Sequence, residues 1–236
     1  MIIDNKNFVE LCAEGTYSDI EAALKNGAPV NALVKLYELD AGETPLINAA
    51  RNNPDPKIIT LLCKYGASVN QANDFGETAL IEAVRNGNIN VVMALLNAGA
   101  DVNIKDKDND TALIEAVCKC DSKIMRALLE YNADSENRNK SLRLAASRGE
   151  LELVKLLLDF EADVNSKNYK GYTALMRAAL QGYIDIVKEL IDTGAEIDAK
   201  NKYGNTALMH AARKGNFEIV KELLKEGANI DAKNIT

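Results

Sequence analysis

A short motif, Thr followed by Pro or Ala and then Leu, recurs along this chain at nearly constant spacing. Successive copies of its leucine position are separated by 34, 33, 29, 33 and 33 residues. A fainter copy places Phe8 in that position, 38 residues before the next. Self-similarity at roughly 20 to 50 residues is typical of stacked structural repeats, so we expect seven such repeats. The leucine positions are Leu46, Leu80, Leu113, Leu142, Leu175 and Leu208.

Each repeat predicts two short helices. The first begins at the motif Thr, whose hydroxyl suits an N-cap, and carries a pair of small residues such as 178–179. A glycine such as Gly182 ends it. The second helix has apolar pairs four residues apart, as at 91–96, and a Gly-Ala-Asp-Val-Asn run such as 99–103 leads into a polar finger. No repeat could bury both faces alone, so the repeats must stack.

These features closely resemble the ankyrin repeat over essentially the whole chain. They match its Thr-Pro-Leu-His-x-Ala motif at positions other than the histidine. The resemblance implies an all-α repeat solenoid of stacked helix-turn-helix repeats with projecting β-hairpin or loop fingers. The motif histidine is absent from every copy, and the single histidine, His210, lies one position later. A structural role is therefore predicted for His210. The motif position itself holds Ile47, Ile81, Ile114, Arg143, Met176 and Met209.

We expect one domain, residues 1–236, made of seven repeats. A longer finger is predicted at 32–43, and a shortened one at 132–141, where four residues are missing from the pattern. Charge changes near this interruption: residues 1–136 contain 12 Lys and Arg against 21 Asp and Glu, and residues 137–236 contain 16 against 14. The interruption separates two functional surfaces or reflects drift in an unused finger. The approximate repeats are 1–38, 39–72, 73–105, 106–137, 138–167, 168–200 and 201–236.

Composition and motifs exclude several function classes. A net charge of −7 disfavours general nucleic-acid binding, and no apolar stretch has the length of a membrane span or the form of a signal peptide. A cytoplasmic location is predicted, with delivery into a host cell left open. One histidine leaves no nucleophile–base pair. Asp106, Asp108 and Asp110 alternate like a calcium loop but lack its Gly and Glu. No catalytic residue, metal site or cofactor is predicted.

In ankyrin-like proteins, partners usually dock on variable finger positions and on exposed residues that follow the small pair. The resemblance therefore implies a non-enzymatic protein-protein interaction module. Early repeats hold Arg51 and Arg85 at such positions, and Glu82 and Glu115 are expected to be neighbours one repeat apart. The sixth and seventh repeats combine aromatic and basic side chains, which often anchor interfaces. The predicted partner-binding residues are Tyr169, Lys170, Tyr172, Leu180, Lys202, Tyr203, Arg213 and Lys214.

The favoured partner is an acidic or mixed-charge segment of another protein. One alternative for these tyrosines is a purely structural contact between neighbouring fingers. Two alternative functions remain: nucleic-acid or nucleotide binding by the same face, and an oligomeric scaffold that self-associates through the apolar last repeat. The longer finger provides a secondary candidate anchor, unless it folds onto its own repeat. Its apolar residues are Leu33, Leu36, Tyr37 and Leu39.

Overall fold

The computed structural model describes residues 3–35 and 42–235. These residues form fourteen helices in seven successive pairs, and their only β-type pairings are two isolated bridges. The predicted all-helical repeat fold is confirmed. The chain divides into two compact units, Met1–Ala133 and Asp134–Thr236, which we call the N-terminal and C-terminal blocks. The division falls inside the interrupted stretch of the sequence.

The N-terminal block contains four helix pairs. We call the first helix of each pair the inner helix and the second the outer helix. Each inner helix packs on the next inner helix, and each outer helix packs on the next outer helix, so both rows are continuous through the block. The helices are α1 (Asn5–Glu14), α2 (Tyr17–Lys25), α3 (Pro45–Asn52), α4 (Pro56–Lys64), α5 (Ala79–Asn86), α6 (Ile89–Asn97), α7 (Ala112–Cys118) and α8 (Ser122–Glu130).

The C-terminal block contains three helix pairs with the same packing. Inner helix α11 packs on both α9 and α13, and outer helix α12 packs on both α10 and α14. The helices are α9 (Ser135–Arg148), α10 (Leu151–Asp159), α11 (Ala174–Gln181), α12 (Ile184–Asp192), α13 (Ala207–Lys214) and α14 (Phe217–Lys225).

The motif threonine caps the inner helices as predicted, with one exception. The hydroxyl of Thr44 accepts a hydrogen bond from the backbone N–H of Ile47 at 3.1 Å, and Thr173, Thr78 and Thr206 do the same in their repeats. This bond satisfies a donor that the first helical turn would leave unpaired. Thr111 makes no such bond, and its hydroxyl is buried without a hydrogen-bond partner.

The small residues of the inner helices let neighbouring repeats approach closely. The pairs at 49–50, 83–84 and 178–179 are fully buried, and so are apolar side chains of the outer helices such as Ile59, Leu95 and Val187. Close packing of aliphatic side chains from adjacent repeats therefore supplies the core.

The fingers share one internal structure. At the tip of the last complete finger, the Oδ1 atom of Asn201 accepts hydrogen bonds from the backbone N–H groups of Tyr203 and Asn205 at 2.9 and 3.0 Å. Neighbouring fingers are also joined, since Lys202 N donates to the carbonyl of Lys170 at 3.1 Å. Finger side chains are consequently held in a fixed register along a block. Residues equivalent to Asn201 make the same bonds elsewhere, namely Asn73, Asp106 and Asn168.

At the interruption, the chain forms helix where other repeats form a finger. Helix α9 has 14 residues, and its first six, 135–140, precede the position at which α3, α5, α7, α11 and α13 begin, one residue before the motif leucine. Asp134 caps this helix by accepting a hydrogen bond from Asn137 N at 2.7 Å. The inner helix is therefore extended at its N-terminal end in this repeat.

The secondary candidate anchor lies mostly outside the described residues. Leu36, Tyr37 and Leu39 belong to the stretch 36–41, whereas Leu33 is described and is 50% exposed. Within 3–35 and 42–235, no helix has the length and apolar character needed to cross a membrane.

Candidate binding surface

Two positions of each inner helix lie one turn apart on one side of the helix, two and five residues after the motif leucine. In the third repeat they are Glu82 and Arg85, and in the seventh they are His210 and Arg213. We call these positions the inner line. The chemistry of the inner line differs between the two blocks.

In the N-terminal block, the inner line is an internal ion-pair ladder. Arg85 bonds Glu77 at 2.7 Å and Glu115 at 3.0 Å, and it also pairs with Glu82. Glu82, which is 3% exposed, receives a second bond of 2.6 Å from Arg51. Burial alone would lower the pKa of Arg85, but its hydrogen bonds to Glu77 and Glu115 raise it. These arginines therefore hold consecutive repeats together.

In the C-terminal block, the inner line holds two arginines without acidic partners and one histidine. Its residues include Arg177, His210 and Arg213, and no described carboxylate lies within ion-pair distance of any of them. Burial, and then the positive charge of Arg177, lowers the pKa of nearby Arg143. Burial, followed by the charges of Arg213 and Arg177, lowers the pKa of His210. The arginines of this region therefore reinforce one another's positive potential, which Asp163 offsets in part at Arg143.

Two of these residues, His210 and Arg213, line a pocket of about 600 Å³ at the surface of the C-terminal block. The guanidinium carbon of Arg177 lies 4.6 Å from the ring centre of Tyr172, and the Tyr172 and His210 ring centres are 5.3 Å apart. Arg213 reaches the other side of the imidazole, with its Nη2 atom 3.4 Å from His210 Nδ1. The lining residues are Tyr172, Tyr203, Asn205, Met209, His210, Arg213 and Asn234.

Charge is segregated around this pocket. The stretches 166–181 and 199–214, which comprise two finger tips and inner helices α11 and α13, contain seven Lys and Arg, one His and no Asp or Glu. We call these two stretches the basic face. The equivalent stretches of the N-terminal block, 71–86 and 104–119, contain seven Asp and Glu against four Lys and Arg. A surface of one sign attracts segments of the opposite sign.

The structure brings part of the predicted partner-binding set together. Tyr172, Tyr203 and Arg213 line the pocket, and Tyr203 is 49% exposed. Tyr169, Lys170 and Lys202 lie exposed on the same two fingers, and the ammonium of Lys170 lies 5.4 Å from the centre of the Tyr169 ring. Tyr169 is 76% exposed, so much of its ring is open to solvent. Leu180, which is half-buried, and Lys214, which is exposed, do not line the pocket.

Sequence reasoning missed Arg177 and His210 as parts of this site. His210 is only 1% exposed, yet its ring forms part of the pocket wall. The available signal was register: both residues occupy the position that Glu82 and Glu115 occupy in the N-terminal block. At this position, the carboxylates Glu82 and Glu115 of the N-terminal block are replaced by Arg177 and His210 in the C-terminal block.

The last repeat also exposes apolar side chains. Phe217 is 82% exposed, Ile230 73% and Ile235 77%. Self-association through this surface stays a prediction.

Among the described residues, no group of three or more His, Cys, Asp or Glu side chains is placed to hold a metal ion. Asp106, part of the calcium-like pattern, accepts finger N–H bonds from Asp108 and Asp110.

Comparison with known proteins identifies the repeat. A family model described as ankyrin repeats, three copies, matches residues 11–106, 46–139, 95–168 and 142–234. The chain belongs to the ankyrin repeat family. Two curated ankyrin repeat proteins match shorter segments: nuc-2 of Neurospora crassa, 34% identical over 86 residues, and the putative protein R664 of Acanthamoeba polyphaga mimivirus, 31% identical over 80 residues. These segments are 36% and 33% of this chain but only 8% and 48% of the relatives.

Solved ankyrin repeat domains share the fold over most of this ankyrin chain. The domain of Bcl-3, described as a member of the IkappaB family, is 26% identical, covers 92% of this chain and 97% of its own, and has a TM-score of 0.81. A domain from Acinetobacter baumannii is 36% identical, with coverage of 78% and 98% and a TM-score of 0.73. Human ASB11 is 28% identical, with coverage of 82% and 88% and a TM-score of 0.71. Ankyrin repeat domains are generally protein-protein interaction modules.

Proposed function

We propose that this chain is a non-enzymatic module that binds an acidic segment of another protein along the basic face. The observation that carries the proposal is the segregation of charge: both finger tips and both inner helices of the basic face lack acidic residues, while the outer helices carry them. An extended acidic segment would find cations on the fingers and, one step inward, at Arg177 and Arg213. Exposed Tyr169 and Tyr203 add apolar contact area of the kind that anchors interfaces.

The N-terminal block supports the proposal by contrast. Its inner-line arginines, Arg51 and Arg85, are already engaged by Glu43, Glu82 and Glu115. An incoming carboxylate there would have to displace an internal partner. On the basic face, the arginines offer their donors without that competition, so binding there requires less loss of existing contacts.

The test compares two lysines at equivalent finger positions. Lys202 and Lys107 are both exposed, and each donates its backbone N–H to the preceding finger. We expect Lys202→Glu combined with Arg213→Glu to lose a captured protein that wild type and Lys107→Glu both retain. Crosslinks from Lys170 should map to an acidic stretch of that protein. Far-UV circular dichroism checks that all variants are equally folded.

Three results would contradict the proposal. Equal capture by all variants would remove the basic face from the interaction. Crosslinks to a stretch without excess Asp and Glu would remove the acidic partner. Capture that nuclease treatment abolishes, with affinity falling steeply as salt rises, would favour the nucleic-acid alternative instead.

A further inference from the structure

The imidazole of His210 lies between two hydrogen-bond donors. The side-chain Nδ2 atom of Asn201 is 3.3 Å from His210 Nε2, and the Nη2 atom of Arg213 is 3.4 Å from His210 Nδ1. A guanidinium can only donate. The role of the Asn201 amide depends on which of its two terminal atoms faces the ring.

The finger fixes the orientation of that amide. Asn201 Oδ1 accepts the backbone N–H groups of Tyr203 and Asn205, so the NH₂ group is the atom that faces His210. Turning the amide over would replace two N–H acceptor bonds with two donor–donor contacts. Asn201 therefore acts as a donor towards the imidazole, as Arg213 does.

A neutral histidine between two donors has one ring N–H group without a hydrogen-bond acceptor. The neutral ring has one lone pair and one N–H, so it can accept from Asn201 or from Arg213 but not from both. Its N–H then faces a donor. A protonated ring would oppose both neighbours, in accord with the lowered pKa of His210, so the ring is neutral at pH 7. An oxygen acceptor beside Nδ1 would satisfy the N–H and Arg213 together.

A ligand that enters the pocket from solvent can supply that acceptor. It is open to solvent through the exposed residues Arg213 and Tyr203, and the buried His210 ring forms part of its wall. Asn205 and Asn234 add side-chain amides to the lining, joined to each other by a 3.0 Å bond. A carboxylate is an acceptor whose charge also offsets Arg177 and Arg213.

We propose that this pocket binds one carboxylate side chain of an acidic segment, held between Arg213 and the Nδ1–H group of His210. The proposal rests on the proposed function, because it names the contact that would anchor such a segment. Binding would make Nδ1 a donor to the carboxylate and leave Nε2 to accept from Asn201. Both ring nitrogens of His210 would then be paired in this pocket, which we call the anchor site.

The test uses the fact that His210 is the only histidine of the chain. Protein carrying ¹⁵N-labelled histidine is titrated with a fluorescein-labelled hexaglutamate peptide, and hexaglutamine is the uncharged control. Because the charged Arg213 is a stronger donor than the Asn201 amide, we expect Nδ1 to be the acceptor in the free protein and its resonance to change to the protonated type as hexaglutamate binds. Anisotropy measures the affinity of the same peptide for two variants with equal charge change, Arg213→Gln in α13 and Lys221→Gln in the outer helix α14.

We expect Arg213→Gln to weaken peptide binding about tenfold or more, as for loss of a charge-assisted hydrogen bond. Lys221→Gln should change it less than about threefold, since Lys221 is exposed on α14, outside the basic face, and does not line the pocket. Peptide binding with unchanged His210 nitrogen resonances, or equal loss in both variants, would overturn the pocket assignment and leave the proposed function standing. Absence of hexaglutamate binding would overturn the pocket and the acidic partner together.

Discussion

Replacing one motif threonine by valine should have opposite consequences in two repeats of the same block. Thr44 is 3% exposed and its hydroxyl caps α3 through the 3.1 Å bond from Ile47. Thr111 is fully buried at the same position of α7, and its hydroxyl has no hydrogen-bond partner. Valine has the shape of threonine with a methyl in place of the hydroxyl, so the comparison isolates the cap.

The expected magnitudes follow from what each hydroxyl does. Thr44→Val loses an N-cap and leaves a buried N–H unpaired, which costs about 1–2 kcal/mol of unfolding free energy. Thr111→Val loses no bond and buries one more apolar group, worth up to about 0.8 kcal/mol. The two variants should therefore differ by about 2 kcal/mol. With a urea slope of about 2 kcal/mol per molar, their unfolding midpoints should differ by about 1 M.

Urea unfolding followed by far-UV circular dichroism measures this difference, with hydrogen exchange of α3 and α7 locating it. The dependence of the unfolding free energy on urea concentration should have the same slope in both variants. Repeat proteins can lose cooperativity, and a changed slope would reveal such a loss. Equal midpoints, or a Thr111→Val variant less stable than wild type by more than about 1 kcal/mol, would refute the reasoning. Either result would mean that the Thr111 hydroxyl has a stabilising partner.

Three further perturbations test other parts of the structure. Arg85→Gln should lower the unfolding free energy by about 1–2 kcal/mol, because buried Glu82 would keep only Arg51 as a cationic partner. Solvent screening at the half-buried Arg85 limits the loss to this range, and urea midpoints measure it. The lowered pKa of His210 stabilises the fold above pH 6.5 and this stability is lost as the pH falls, so His210→Gln should flatten the change in urea midpoint between pH 7 and 5.5. Gly171→Ala should cost more stability than Gly194→Ala: both need positive φ, but only at Gly171 would the added carbon meet a neighbouring finger, at 2.9 Å; thermal unfolding compares them.

The fold was predictable because each repeat carries the same sequence signals for its helices and turns. The motif threonine, the small pair, the apolar pairs and the terminal glycines recur in register, and stacking is the arrangement that buries the apolar faces of every repeat. The interruption was predictable as a place but not as a structure. Four missing residues indicated a shortened finger, whereas residues 135–140 extend α9, because Asp134 provides an N-cap earlier in the repeat than the motif threonine does elsewhere.

The binding surface was only partly predictable. Aromatic and basic finger residues were visible in the sequence, but Arg51 and Arg85 looked equally available for partners until the structure placed Glu82 between them. Whether a charged residue pairs internally depends on the offset between stacked repeats, which spacing along one chain does not give. His210 was missed because its partners, Asn201 and Arg213, converge on it from a finger and from the next helical turn.

The two inner lines suggest a substitution that would convert one chemistry into the other. Glu82 and His210 share a register, and each precedes an arginine by three residues, Arg85 and Arg213. Both groups facing His210 are donors, so His210→Glu would place a carboxylate where it can accept from Asn201 and Arg213 at once. We expect this variant to match wild type in urea midpoint within about 0.5 M and to lose hexaglutamate binding, because an internal carboxylate would fill the anchor site. A buried charge without partners costs several kcal/mol, so a large loss of stability would mean that the donors around His210 are not arranged to receive an anion.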